Sequence, residues 1–265
     1  KGLLNPKERD ALPVLRQIIN GLLGNPSTEN ELCVYCVPGK PIDNAQFVDY
    51  HEDVLKQIIE SIGYTARPIN EAEALAYAGL VDNNLTGIAI SMGAGMCNIW
   101  IMYAGMTASA FSVARGGDFI DEHVSMDCGI PPAKAQYIKE SGDYTIKNPE
   151  FRVSGGGVEI ANDKDLTREQ QAVRTYYGVL IRYLLANIAK QFEDNEAMPN
   201  FPDAVPIVVG GGTSMVNGFV DIFQEEFKQK EFPIAIKKIA LVEEPFTAVA
   251  RGCLAEAQLE EEGDE

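Results

Sequence analysis

Three short stretches of this chain place glycine beside a strand end, a carboxylate or a hydroxyl, and a fourth places an acid at a helix start. Gly210, Gly211 and Gly212 follow the apolar run Val205-Pro206-Ile207-Val208-Val209 and lead into Thr213. A glycine turn between a strand and a helix lets backbone approach a flat ligand or a phosphate with no Cβ in the way, although such turns also serve plain packing. Ser91-Met92-Gly93-Ala94-Gly95 is a second glycine turn, set between two strands, where amides at a hairpin tip can wrap phosphate oxygens. Asn70-Glu71-Ala72-Glu73-Ala74 lies ahead of it and Arg115-Gly116-Gly117-Asp118-Phe119-Ile120-Asp121 behind it. Glu71, read alone, is an acid favoured at a helix N-terminus by the macrodipole. Cys33 and Cys36 have the spacing of a redox or zinc pair, but the run Glu31-Leu32-Cys33-Val34-Tyr35-Cys36-Val37 reads as a strand and points them to opposite faces. His51 and His123 stand in helical patterns with no ligand cluster around them, so no metal centre is expected.

The elements that must position these groups alternate. Apolar spacing predicts helices over 7–23, 48–62 and 71–80, with strands over 31–37 and 64–69, a β-α-β-α order that implies a mixed or parallel sheet covered by helices. Three strands in succession follow, 86–91, 97–103 and 107–114, joined by glycine-bearing turns. A helix opening at Gly116-Gly117 and another over 132–139 precede a hairpin over 145–160, turning at Ser154-Gly155-Gly156-Gly157. Thr167-Arg168-Glu169-Gln170 fits a capping box at the head of a helix to Asp194. The chain then gives a strand over 205–209, the glycine turn, a helix to Phe227, a strand over 234–242 and a helix over 246–259.

The chain has 265 residues and 46% hydrophobic side chains, enough for a sizeable core, so a disordered or fibrous chain is excluded. Thirty-nine acidic against 22 basic residues leave a net charge of −17, which repels phosphate backbones and anionic lipid and disfavours nucleic-acid or membrane-surface binding. Part of the charge lies in Glu256, Glu260, Glu261, Glu262, Asp264 and Glu265, which read as a solvated acidic tail. There is no membrane-spanning run and no secretory signal, and the five cysteines read as reduced and mostly buried, all of which suggests a cytoplasmic protein.

The order of the glycine motifs resembles the actin-like ATPase superfamily, which includes actin, DnaK-type chaperone ATPases and sugar kinases, and is nearest to the MreB-type actins. The matching pieces are Asn70-Glu71, Ser91 to Met96, Gly117 to Asp121, Ala135-Gln136-Tyr137-Ile138-Lys139, and Val208 to Thr213, with Glu244-Pro245-Phe246 to Gly252 similar to the family's final helix. The resemblance implies an α/β, ribonuclease H-like fold with a mixed sheet flanked by helices. Residues 1–82 would finish the first lobe, 83–259 would form the second with an inserted subdomain at about 140–200, and 260–265 would be the tail. It also implies ATP or another purine nucleotide between the lobes. Gly93, Ala94, Gly95, Gly117 and Asp118 would lie at the phosphates, Gln136 and Lys139 at the nucleoside, Gly210, Gly211, Gly212 and Thr213 under the adenosine, and Glu71 would position the attacking water.

The chain departs from that pattern in informative places. Ser91 stands where such proteins carry an Asp that organises Mg2+ through water, Met96 replaces Thr, Asn98 an acid and Gln136 a Glu. A serine hydroxyl supplies no carboxylate, so a weakened Mg2+ site is expected. The family's first phosphate loop has no counterpart here, and a chain opening on Lys1 is expected to be a truncated or partial one. The implied function is a filament-forming, self-associating ATPase, open to protein regulators. The alternatives are a non-hydrolysing actin-like scaffold or a DnaK-like chaperone ATPase.

Overall fold

A computed structural model of the chain describes residues 3–7, 10–44, 48–147, 150–154, 157–161, 166–229 and 231–263. In it the predicted periodicities become α1 (Ala11–Leu23), β1 (Leu32–Val37), α2 (Val48–Ile62), β2 (Thr65–Asn70) and α3 (Glu71–Gly79). Next come β3 (Gly87–Met92), β4 (Cys97–Tyr103), β5 (Met106–Val113), α4 (Gly117–Cys128) and α5 (Pro132–Glu140). The hairpin β6 (Glu150–Ser154) and β7 (Gly157–Ala161) precedes α6 (Arg168–Asp194). The chain closes with β8 (Val205–Gly210), α7 (Phe219–Lys228), β9 (Ile236–Leu241) and α8 (Ala248–Gly263).

Besides the β6–β7 hairpin, two sheets carry the fold. β1 and β2 pair in parallel, Val37 opposite Asn70. The larger sheet runs β5-β4-β3-β8-β9, antiparallel from β5 to β3 and parallel from β3 to β9. Every residue of β3 and β8 is buried, which is why both read as nearly unbroken apolar runs. Ile88, Ile90, Ile207 and Val209 face Tyr177, Ile181 and Leu184 of α6 and Phe219 and Phe223 of α7. The alternate residues Ala89 and Val208 face Leu75 of α3 and Ala248 of α8.

Among the contacts that join the sheets, two stand out. α8 crosses α3 so closely that a Cβ on Gly252 would lie 1.8 Å from the Ala74 carbonyl oxygen. Residues 38–43, which follow β1, reach the far edge of the larger sheet. There Ile42 N–H donates to Ser112 O at 2.9 Å, and Asp43 accepts from Ala114 N–H at 2.7 Å and from Tyr183 Oη at 2.8 Å.

Several expectations need correction. The helix expected straight after the glycine turn is broken: a 3-10 turn spans Gly212–Met215, and α7 begins only after Gly218, whose φ of 85° and whose crowding by Thr145 and Lys147 demand glycine. Residues 145–147 do not belong to the hairpin, since Ile146 is buried and its N–H donates to Asn217 O. Gly155 and Gly156 of its turn lie outside the described residues. The acidic run is no solvated tail at its start. α8 continues to Gly263, Glu256 is buried and pairs with Arg67 of β2 at 3.0 Å, and Glu260 pairs with the same guanidinium. Asp264 and Glu265 lie outside the described residues.

Candidate functional site

The hairpin between β3 and β4 is held by groups from three directions. Gly93 N–H closes the turn on Met96 O at 3.0 Å. The first turn of α4 docks on its carbonyls, Gly117 N–H donating to Gly93 O at 3.0 Å and Asp118 N–H to Ala94 O at 2.8 Å. Gly116 must be glycine for this, because a Cβ there would sit 2.3 Å from Gly93 O. Thr213 Oγ1 donates to Gly93 O at 2.9 Å, and the buried Tyr177 hydroxyl donates to Thr213 O at 2.9 Å. With its carbonyls engaged, the hairpin keeps the amides of Ala94 and Gly95, which make no hydrogen bond among the described residues. Two adjacent unbonded amides at a tip are the donors an anionic oxygen needs.

The three glycines of the second turn have different duties. A Cβ on Gly210 would meet Leu75 Cδ1 at 2.7 Å, and one on Gly211, at φ +90°, would meet Met92 O at 2.5 Å. Both keep β8 close to its neighbours; the reason for Gly211 is the backbone of β3, not space for a ligand. Gly212 is exposed, with nothing within 4 Å of its Cβ position.

Gly212, Thr213 and Ala94 open onto a cleft of about 480 Å3, which Asp118, Asp121, Gln136, Lys139 and Phe246 also line. Lys139 is buried and its Nζ is shared between Asp121 Oδ2 at 2.6 Å and Gly117 O at 3.2 Å. Burial pushes the Asp121 carboxyl up, and the Lys139 ammonium pulls it back down. Asp121 Oδ1 is buried and has no hydrogen-bond partner among the described residues. Gln136 is exposed and donates to Glu140 at 3.1 Å. Phe246, 82% exposed at the cleft, is a stacking surface that sequence reasoning placed only in a helix start.

Glu71 is not among the residues lining this cleft. It begins α3, where Asn70 caps the helix by accepting from Ala72 N–H at 2.8 Å and Glu73 reaches back to Asn70 N–H at 3.4 Å. The Glu71 carboxylate points at the roots of the glycine hairpin. Its Oε2 accepts from Asn98 Nδ2 at 2.9 Å and from Ser91 Oγ at 3.4 Å. Burial pushes the Glu71 carboxyl up, opposed by these two donors. The chain thus satisfies Glu71 with neutral donors where the resemblance implied a second acid beside a cation. Among the described residues no group of three or more His, Cys, Asp or Glu could hold a metal ion. These residues do not fit a carboxylate-organised Mg2+ site.

The sequence profile of the family described as Volactin matches residues 1–257. The chain belongs to the Volactin family. No curated protein matches it by sequence. Among solved structures it is similar to the MamK double helical filament, at 18% identity and a TM-score of 0.72 over 97% of this chain and 78% of that one. It is similar to the ethanolamine utilization protein EutJ from Carboxydothermus hydrogenoformans, at 18% identity and 0.57 over 93% and 74%. It is also similar to MreB 5 of Spiroplasma citri bound to AMPPNP, at 14% identity and 0.61 over 96% and 77%. The fold of this Volactin-family chain is therefore actin-like, a mixed α/β sheet flanked by helices, as the glycine motifs imply.

Proposed function

We propose that this chain is the greater part of an actin-like protein that binds ATP or another purine nucleotide, hydrolyses it and assembles into filaments in the cytoplasm. One observation carries the reading: Ala94 of the hairpin tip, Asp118 at the start of α4, Lys139 of α5 and the exposed Gly212 meet at one cleft. The tip amides would take phosphate oxygens, while Gly212 and Phe246 would receive the nucleoside. Glu71 would hold the attacking water, so that catalysis is positioning with no covalent step. In this reading residues 1–82 complete one lobe and 83–259 make the other. Self-association draws support from likeness to the MamK filament, and nucleotide binding from likeness to MreB 5 structures solved with AMPPNP and with ADP. No helix among the described residues is long and apolar enough to cross a membrane.

A second reading, a non-hydrolysing scaffold, is favoured by the neutral Ser91 and Asn98 around Glu71. Phosphate release and sedimentation of the full-length protein with ATP, with ADP and without nucleotide separate the two. Glu71-dependent release together with nucleotide-dependent pelleting supports the first; pelleting with no release supports the scaffold.

A further inference from the structure

Asn98 lies on β4, fully buried, and its side chain has only one possible orientation. Its Oδ1 accepts from Gly39 N–H at 2.8 Å and from Ser112 Oγ at 2.6 Å. A backbone N–H can only donate, so the carboxamide oxygen must face Gly39 and the nitrogen is left for Glu71. Gly39 reaches this position because it lacks a side chain, since a Cβ there would lie 2.4 Å from Ser112 Oγ and 2.8 Å from Asn70 Nδ2. Both bonds to the Glu71 carboxylate fall on Oε2, which leaves Oε1 as the oxygen able to accept from a water.

We propose that Asn98 is the positioning residue for Glu71, its carboxamide locked by Gly39 and Ser112 and aiming the carboxylate. The proposal rests on the reading of Glu71 as the group that orients the attacking water. It adds a dependence the motif does not carry: Gly39 follows β1, so the aim of Glu71 depends on how the β1–β2 sheet sits against the larger one. An acid in place of Asn98 would press a second carboxylate against Glu71, whereas the amide donates and adds no charge. Among the described residues, the thiols of Cys36, Cys97 and Cys253 lie near enough to feel the Glu71 charge.

Asn98→Asp in the full-length protein is the test, because it keeps the acceptor for Gly39 and Ser112 and replaces only the donor to Glu71. The expected result is a Glu71 carboxyl that titrates, by carbon-13 resonance, at higher pH than in wild type. Single-turnover phosphate release falls about 100-fold while ATP affinity changes less than about threefold. Ser112→Ala, which loosens the lock without adding charge, moves release the same way by about tenfold, and it carries the same readouts if Asn98→Asp does not fold. An unchanged Glu71 titration overturns the proposal whatever the hydrolysis rate, as does a loss of release matched by an equal loss of affinity. A shifted titration in a protein whose release is indifferent to Glu71→Gln leaves the positioning intact and overturns only the water-orienting reading.

Discussion

At the residue scale, burial opposes ionisation of Glu71 and pushes its carboxyl above the ordinary range, against the pull of Ser91 and Asn98. With its folded pKa raised, the folded state binds a proton more tightly than the unfolded chain, so the ionised carboxylate costs stability above that raised value. The cost is relieved as pH falls through it and is gone below the unfolded value of about 4.3. Glu71→Gln keeps an acceptor for Asn98 and removes the charge. It is expected to melt above wild type at pH 7, with the gap closing toward pH 4 in thermal melts, while phosphate release is lost. The neutral Ser91 and Asn98 give a second expectation: nucleotide affinity, measured by titration calorimetry with and without Mg2+ in the full-length protein, changes less than about threefold on chelation. A large loss would mean that other groups hold the metal. The glycine turn supplies a third. Gly211→Val drives a branched side chain at φ +90° onto Met92 O and is expected to cost more than about 2 kcal/mol by urea denaturation. Gly212→Val, with open space around it, leaves the melting temperature nearly unchanged and weakens nucleotide binding about tenfold. The sequence shows three equivalent glycines. Only the approach of β3 to β8 tells which one packs and which one faces the cleft.

At the scale of elements, legibility followed the range of the interaction. The helix starts at Asn70 and Thr167 were readable because their capping boxes close within three residues. The strands β3, β4 and β8 were readable as apolar runs between glycines. The end of α8 was not, because its acidic residues find their cation in β2: Arg67 and Glu256 are 189 positions apart. The break before α7 was hidden for a similar reason, since the groups that occupy Asn217 O, Ile146 N–H and Thr145 Oγ1, come from a distant segment. Asn98 was noticed as a departure from the family pattern, yet its partners Gly39 and Ser112 lie 59 and 14 residues away and nothing local marks them. The crossing of α3 and α8 is equally invisible in Gly252 alone. Because a Cβ there would overlap Ala74 O, Gly252→Val is expected to destabilise by about 3 kcal/mol or more, measured by urea denaturation at constant m-value. A near-wild-type midpoint would mean that the two helices part without cost.

For the molecule as a whole, the asymmetry between the sheets determines what these 265 residues can do. The larger sheet offers a glycine hairpin to phosphate, while the smaller one consists of β1 and β2. Gripped from one side, ATP is expected to bind in the millimolar range, roughly −4 kcal/mol, and to be hydrolysed at no measurable rate. Phosphate release by the purified chain, compared with a Glu71→Ala control, checks this; turnover that disappears in the control would show a complete site within it. The two connections between the sheets also have a mechanical consequence. One is the seat of Gly252 on Ala74, and the other is the strand-edge attachment of residues 38–43 at Ser112 and Ala114. Sliding or splaying of the sheets would have to break one of these attachments, so any movement between them that keeps both intact is the one that costs least. Glu71 and Asn98 lie beside the second attachment, through the bonds of Asn98 to Gly39 and Ser112. A movement that keeps this attachment can exchange a ligand while leaving its most exacting hydrogen bonds almost still.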